Sequence, residues 1–440
     1  MLARFLSAGS VRCRVRLPSS LLLVAATIAL GAPSPSAQHP HFSRAMGNPP
    51  AAPLTLDEAV ATALANHPAL AEAAHRVAAA RGDWVQAGLP PNPHIGYLAE
   101  EMGDAGRAGQ QGGFVEQEFV TAGKLRLDRS IAGGQLRQAQ QRFNAQRWRV
   151  ENDVRIAFYR VLVAERAIQI SRQLMAVAND AANAAAKLRR AELGDEIDVV
   201  QASVEAGRAR VEAGQAHNQF QAAWQQLAVA MGTPRMPPVP LAGELEGSVG
   251  RLDWNEALGR LLSASPQLAE AAAGVAKARW ALARAEAEPV PNVTVQSAVQ
   301  YDNATGDTLA AVQAGIPLPL WNKNQGAIRS ARAQLNAAQA DVSRVELDLH
   351  RRLADAFQRY ENAWILKELY AREILPGAQH AMELATAGWD AGEYDYEKRL
   401  IAQRTYTEVS RAYLIALEAL WTSRIEIEGM LLTDGLRSLP

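Results

Sequence analysis

The sequence predicts a mainly α-helical protein with a smaller β part, built as two similar halves. Three observations lead to this prediction: an internal duplication, very long stretches with neither Gly nor Pro, and short segments in which apolar and polar residues alternate. Alanine dominates the apolar residues and aromatic residues make up only 6% of the chain. Such small side chains allow long helices to pack closely.

The duplication sets the organisation of the chain. Residues 56–73 resemble residues 252–271, and the copies run at an offset of 198 positions from Glu58 and Glu256 onward. Pro and Gly cluster between the copies, as is typical of a connection. We therefore expect a first repeat over residues 54–233, a linker over 234–250, a second repeat over 251–432 and a tail over 433–440.

The longest uninterrupted stretch lies between Gly134 and Gly194. As a helix, residues 135–193 would be about 88 Å long at about 1.5 Å per residue. Two heptad seams run along it, one through Val154, Val161 and Ile168 and the other through Ile156, Val163 and Ile170. Two seams indicate a helix packed between neighbours on both sides, although a soluble bundle with a wide apolar face is the alternative. Each half should form a helical hairpin, with tips near Gly194 and Gly392.

Four short segments have the alternation of strands, at about residues 92–101, 112–120, 291–301 and 308–318. Strands of about 9–11 residues match a tilted membrane crossing, with apolar residues outward and polar residues inward. About eight strands are the minimum for a closed barrel, so several chains would have to share one. The alternative is two soluble hairpins packed on helices.

The N-terminus predicts a signal peptide over residues 1–37, because a basic segment precedes an apolar run that is too short to span a bilayer. Residues 38–53 follow as a flexible linker. His39 and His41 offer a metal-capture hypothesis, against which the surrounding Pro and Ser favour a plain linker. Cys13, the one cysteine, precedes the apolar run.

Composition and motifs exclude several classes of function. The formal net charge of −1 does not favour a nucleic-acid partner. There is no phosphate-binding loop, nucleophile elbow or zinc-protease motif, so we expect no enzyme, no catalytic residues and no cofactor. The scattered His and Met residues predict no fixed metal site.

Taken together, the motifs resemble those of the TolC-like outer-membrane efflux protein family, most closely its cobalt–zinc–cadmium resistance branch. The resemblance covers roughly residues 54–432. It rests on the duplication and on these segments: Leu56-Asp57-Glu58-Ala59, Asn66-His67-Pro68, Pro91-Asn92-Pro93, Glu116-Gln117-Glu118, Ala122-Gly123-Lys124, Gly392-Glu393-Tyr394-Asp395-Tyr396 and Leu400-Ile401-Ala402-Gln403-Arg404. Many relatives carry a lipidated N-terminal cysteine, which this chain lacks after its apolar run.

The resemblance implies a homotrimer in the bacterial outer membrane. Three chains with four strands each would share a twelve-stranded transmembrane β-barrel, above a periplasmic α-barrel of long coiled helices. The implied partners are outer-membrane lipid, a periplasmic adaptor of the membrane-fusion type and a proton-driven inner-membrane pump. Divalent heavy-metal cations are the expected cargo. The alternatives are a duct for drugs or polypeptides and, from a different class, a soluble periplasmic adaptor or scaffold.

Several residues are candidates for function in such a channel. Glu116 and Glu118 share one strand face and would line the lumen. Tyr301 and Trp321 lie near strand ends, where aromatic belts occur, or else pack in a core. Acidic residues at the hairpin tips would form charged rings at the periplasmic entrance, with Arg189, Arg190, Lys398 and Arg399 as possible ion-pair partners, or would be ordinary solvated helix ends. These tip acids are Asp195, Glu196, Asp198, Glu393, Asp395 and Glu397.

Overall fold

The structure is a computed structural model that describes residues 53–103, 108–247 and 250–436. The predicted signal peptide, His39 and His41 lie outside the described residues, as does all but the end of the linker over 38–53. The first half contains β1 (Leu54–Thr55), α1 (Leu56–Asn66), α2 (Pro68–Gln86), β2 (His94–Met102), β3 (Ala108–Phe119), α3 (Lys124–Arg190) and α4 (Glu196–Ala230). The second half contains β4 (Leu241–Ala242), α5 (Trp254–Ala264), α6 (Pro266–Ala287), β5 (Val293–Asp302), β6 (Thr308–Gly315), α7 (Gln325–Leu369), a π-helical turn (Tyr370–Ile374), α8 (Leu375–Asp390) and α9 (Tyr396–Glu428).

The long helix α3 starts earlier than the sequence predicts. It has 67 residues and runs through Gly134, where the predicted stretch began. A Cβ at Gly134 would lie 2.7 Å from the Cβ of Lys277 in α6. This glycine therefore permits the close approach of two helices and does not end one.

The buried faces of α3 point to two sets of neighbours. Val154 and Val161 pack in a cluster with Trp224 and Leu227 of α4. Further along, Val163 packs with Leu417 of α9 in a separate cluster. The helix thus has neighbours on two sides, as its two seams predict.

The four long strands form one antiparallel sheet in the order β2-β3-β5-β6, so β2 and β6 are its edges. The observed strands differ from the predicted ones by up to a few residues at their ends. The largest difference is at β3, which begins at Ala108, whereas the sequence predicted a strand from about residue 112. Gly112 lies so close to β5 that a Cβ would come within 1.9 Å of the Val299 carbonyl oxygen, so glycine is needed there. The edge strand β6 ends at Gly315, before Pro317 and Pro319, whereas the sequence predicted a strand through residue 318.

The segments expected to be a linker and a tail are packed against the helices where they are described. Leu241 pairs in parallel with Leu54, and the Trp421 indole N–H donates to the Leu245 carbonyl at 3.0 Å. At the C-terminal end, the backbone N–H groups of Asp434 and Gly435 donate to the Asp153 carboxylate at 3.0 and 2.6 Å. Burial raises the pKa of that carboxyl group, and these two bonds oppose the shift.

The two hairpin tips have the same backbone bonding. The Leu193 N–H donates to the Leu188 carbonyl at 2.9 Å, and the Glu393 N–H donates to the Gly388 carbonyl at 2.8 Å. Residues 200 positions apart are therefore equivalent at the tips, and the counterpart of Gly392 is Glu192.

A π-helical turn explains this tip alignment. In the helix cores the offset is 199, since buried Val150, Val154 and Phe158 match buried Leu349, Leu353 and Phe357. The π turn between α7 and α8 holds one extra residue, which changes the offset to 200. The offset of 198 read from the sequence would instead match Gly194 with Gly392, which is two residues out of register at the tips.

Replacing Glu192 with Gly should stabilise the first tip by about 1 kcal/mol, because Glu192 has a left-handed φ of 61° that costs little only for glycine. Slower amide hydrogen exchange at Leu193 would report this change. Glu192→Ala, which removes the charge but keeps the strain, is the matched control.

Gly392→Ala should have the opposite effect at the second tip. Gly392 has a φ of 76° and open space around its missing Cβ, so the cost there is conformational. Faster amide hydrogen exchange at Glu393 would report this loss of stability.

Backbone strain at Glu192 is ruled out if amide hydrogen exchange at Leu193 is equally fast in the wild type and in the Glu192→Gly variant.

Candidate functional site

One face of the sheet carries a polar row that crosses all four strands. The register places His94, Glu116, Gln296 and Gln313 side by side. Glu118 follows Glu116 on the same face, nearer the helices. Both candidate lumen acids thus lie on the face that combines polar residues from every strand.

The opposite face is apolar and largely uncovered within the chain. Ile95 is 81% exposed and Val312 is 78% exposed. The other large apolar residues exposed on this face are Tyr97, Val115, Phe119, Val299 and Tyr301. A continuous exposed apolar surface of this kind marks contact with lipid or another apolar partner.

None of the described helices is both long enough and apolar enough to cross a membrane.

Tyr301 and Trp321 lie toward opposite ends of this apolar surface. Tyr301 is at the hairpin end of β5, on the apolar face, and is about half exposed. Trp321 follows β6 on the side where the helices begin, and is 86% exposed. Neither ring is packed in a core within the chain, which leaves the aromatic-belt hypothesis in place for both.

A buried lysine that the sequence-based reasoning left without a role joins the sheet to the helices. Lys124, the first residue of α3, is only 3% exposed, and its ammonium donates to the Val290 carbonyl at 2.7 Å and to Asn292 Oδ1 at 3.0 Å. The Asn292 amide donates in turn to Glu118 at 2.7 Å. Thr121 adds bonds from its N–H to Asn292 and from its hydroxyl to Pro291. A lysine directly after a glycine at a strand-to-helix junction is the sequence signal that points to this network.

Because of this network, the two candidate lumen acids differ. The Glu118 carboxylate is held by the Asn292 amide at the base of the sheet. Glu116 lies within the polar row itself, opposite His94 and Gln296. Glu116 therefore carries the negative charge in the middle of the polar row, while Glu118 belongs to the hydrogen-bond network that joins the sheet to the helices.

Three of the tip acids, drawn from both hairpins, lie near one another in the folded chain. Burial, together with the negative charges of Asp195 and Asp395, raises the pKa of Asp198. Asp195 and Asp395 are the N-cap residues of α4 and α9, yet neither side chain caps its helix. Glu196 begins α4, and Glu393 and Glu397 flank Asp395 as exposed residues. The structure therefore groups acids from both halves, with carboxylates not used by their own helices.

Arg399 is not an exposed partner for these acids, contrary to the expectation from the sequence. It is 5% exposed and stacks over the Trp389 ring, 4.3 Å from its centroid. Burial lowers the pKa of its guanidinium, and the charges of Asp390 and Asp180 act in the opposite direction. Tyr396 packs edge-on against the same Trp389. The second hairpin thus has a buried cluster of Arg399 and aromatic rings just above its tip. The charges of the sequence alone did not show that Arg399 would be buried there.

Among the described residues, no group of three or more His, Cys, Asp or Glu side chains is arranged to hold a metal ion. The charged residues of the polar row and of the tips are spread over surfaces and do not form a compact ligand set.

Comparisons with known proteins agree on one family. The model of the outer membrane efflux protein family matches residues 59–233 and 257–431, one segment in each half. The cobalt-zinc-cadmium resistance protein CzcC of Cupriavidus metallidurans is 27% identical over 384 residues, which cover 87% of this chain and 90% of that protein.

Solved structures show the same fold. The outer membrane protein VceC of Vibrio cholerae superposes with a TM-score of 0.71 at 19% identity, covering 86% of this chain and 96% of VceC. The open MtrE outer membrane channel of Neisseria gonorrhoeae gives a TM-score of 0.73 at 17% identity, covering 86% of this chain and 89% of MtrE. These matches confirm the predicted fold class.

The family match also decides between a channel and a soluble adaptor or scaffold, in favour of the channel. The matched segments include the helical hairpins and both strand pairs, so they cover the polar row as well as the tips. The chain belongs to the outer membrane efflux protein family, as an outer-membrane efflux channel subunit that extends into the periplasm.

Proposed function

We propose that three copies of this chain form the exit duct of a tripartite efflux system whose cargo is divalent heavy-metal cations. A periplasmic adaptor and a proton-driven inner-membrane pump complete the system, and the chain itself has no enzymatic activity. The observation that carries the proposal is the sheet with an exposed apolar face, a polar face and two edges that pair with no other described strand. Four strands are too few to close a barrel, whereas three copies supply twelve.

The choice of cargo is supported by charge and by kinship. The polar row carries Glu116, and the hairpin tips carry grouped aspartates, so both parts of the pathway favour cations over anions. CzcC, the relative that matches most of the chain, is a resistance protein for cobalt, zinc and cadmium. The duct itself adds little selectivity for one cation over another, because selection depends on specific binding sites, which we assign to the pump and the adaptor.

Deleting the gene should lower the tolerance of the host to zinc, cobalt and cadmium, since periplasmic cations would lose their way out. Growth in a dilution series of each metal measures this, with a plasmid copy of the wild-type gene as the rescue control. Unchanged metal tolerance together with new sensitivity to a dye panel would overturn the metal cargo and favour a drug duct.

We also propose that the tip acids Asp195, Glu196, Asp198, Glu393, Asp395 and Glu397 surround the periplasmic entrance and help to hold it closed. The support is that acids from both hairpins lie near each other and that the N-cap aspartates leave their carboxylates available. At the same tip the Lys398 ammonium lies over the Tyr394 ring, 4.7 Å from its centroid.

Replacing Asp395 with Ala should raise the passive ion leak through reconstituted trimers and lower their preference for cations. The substitution removes one tip charge per subunit, three in the trimer, together with any links that the carboxylate makes to a neighbouring hairpin. Single-channel conductance and the reversal potential in a salt gradient measure the two effects.

Glu256→Gln removes an exposed carboxylate from α5, far from the tips in sequence, and serves as the matched control. The same conductance and reversal potential for wild type and Asp395→Ala would count against a role of Asp395 in the entrance.

A further inference from the structure

Within one chain, the end of β3 in the first strand pair is bonded to the start of β5 in the second pair. Phe119, the last residue of β3, pairs with Val293, the first residue of β5. Just beyond this pair, the ammonium of Lys124 bonds to the Val290 carbonyl, in the Pro-rich segment that leads into β5. This junction is complete and buried, with Lys124 only 3% exposed.

Because the chain is duplicated, each residue of this junction has a counterpart in the other half, and these counterparts do not contact one another within the chain. At the offset of 199 found in the helix cores, the counterparts of Phe119 and Lys124 are Leu318 and Lys323. At the offset of 198 found before the strands, the counterparts of Val290 and Val293 are Asn92 and Ile95. Leu318 is 69% exposed and Ile95 is 81% exposed, whereas the paired counterparts Phe119 and Val293 are 54% exposed and partly buried, respectively.

These parts cannot meet inside one subunit. Leu318 follows β6 and Ile95 is in β2, and these strands are the two opposite edges of the sheet. Three strand spacings separate the edges, roughly 14 Å at about 4.8 Å each. Among the described residues, no carboxylate or carbonyl group bonds to the Lys323 ammonium, which is exposed.

We propose that residues 316–323 after β6 dock on the segment leading into β2 of a second copy of this chain. In this contact Leu318 lies opposite Ile95 of the partner subunit, and the Lys323 ammonium bonds to the backbone carbonyl of Asn92 of the partner subunit. Ile316 and Leu320, both more than half exposed in the single chain, belong to the same contact surface. The inference rests on the homotrimer of the proposed function and specifies which residues join its subunits.

The lack of a neighbouring strand adds to Pro317 and Pro319 in ending β6. The sequence pattern continues as a strand through residue 318, but the strand stops at Gly315 in the single chain. By this register Ile316 falls opposite Val293, the first residue of β5, and residues 317–318 extend past it with no strand beside them among the described residues of one subunit. The partner's β2 would supply one.

A cysteine pair tests the contact directly. In a Cys13→Ser background, the double variant Ile95→Cys with Leu318→Cys should form disulfides between subunits under mild oxidation. Directly opposite residues in an antiparallel pair have Cβ atoms about 4.5–5.5 Å apart, which is near disulfide range. Most of the chain should then run as covalent dimers and trimers on a denaturing gel without reductant.

The matched control is Ile95→Cys with Val312→Cys. Val312 is as exposed as Leu318 and on the same face, but it is six residues away along the strand, roughly 20 Å. Equal cross-linking of the two pairs, or no cross-linking of the Leu318 pair in intact trimers, would overturn the inference while leaving the channel proposal in place. Absence of trimers in the wild type would instead contradict the proposed function itself.

Lys323→Met tests the polar part of the contact. The variant should dissociate from trimer to monomer at a lower temperature than the wild type on gels of unheated and progressively heated samples. Lys187→Met, which removes an exposed ammonium near the first tip, should leave the dissociation temperature unchanged. Unaltered helix content by circular dichroism shows that the monomer still folds, and an unchanged dissociation temperature of Lys323→Met would rule out the bond.

Discussion

A sheet with open edges cannot remain in a bilayer, and the rest of this molecule follows from that constraint. Each backbone N–H or C=O without a partner costs several kcal/mol in hydrocarbon. The chain presents an apolar face suited to lipid, yet it leaves β2 and β6 unpaired. The subunit is therefore incomplete as a membrane structure, and its edges specify that it must be completed by other copies.

The buried junction at Lys124 connects this sheet to the helices. A buried ammonium is costly unless its donors are satisfied, and here carbonyl and amide oxygens from the other half of the chain accept them. The strand of one repeat is thereby fixed to the lead-in of the other at the point where β-structure gives way to helix. The charge of Glu118 is included in the same network through Asn292, so an acid that looks like part of the pore lining in the sequence also has a structural role.

Much of the architecture could be predicted from periodicity and repetition. The heptad seams of α3, the alternation in β5 and the duplicated segments are local patterns, and they led to the correct fold class. Contacts between distant segments were not visible in the same way. Gly134 looked like a helix boundary until Lys277 was found beside it, and Arg399 looked solvated although Trp389 covers it. The tip register was misjudged because the extra residue of the π turn was not inferred from Pro376, which stands at the start of α8 directly after that turn.

That π turn, Tyr370–Ile374, has a consequence for how the two repeats could diverge. An extra residue in a regular α-helix rotates everything after it by about 100°, which would turn the apolar stripe of α8 away from α9. The widened turn absorbs the residue locally, so Ala378 and Ala385 remain buried in phase with the helix before it. A change in length was thus accommodated without rewriting the rest of the hairpin, and deleting one residue from this turn would leave a regular helix with its stripe still facing inward.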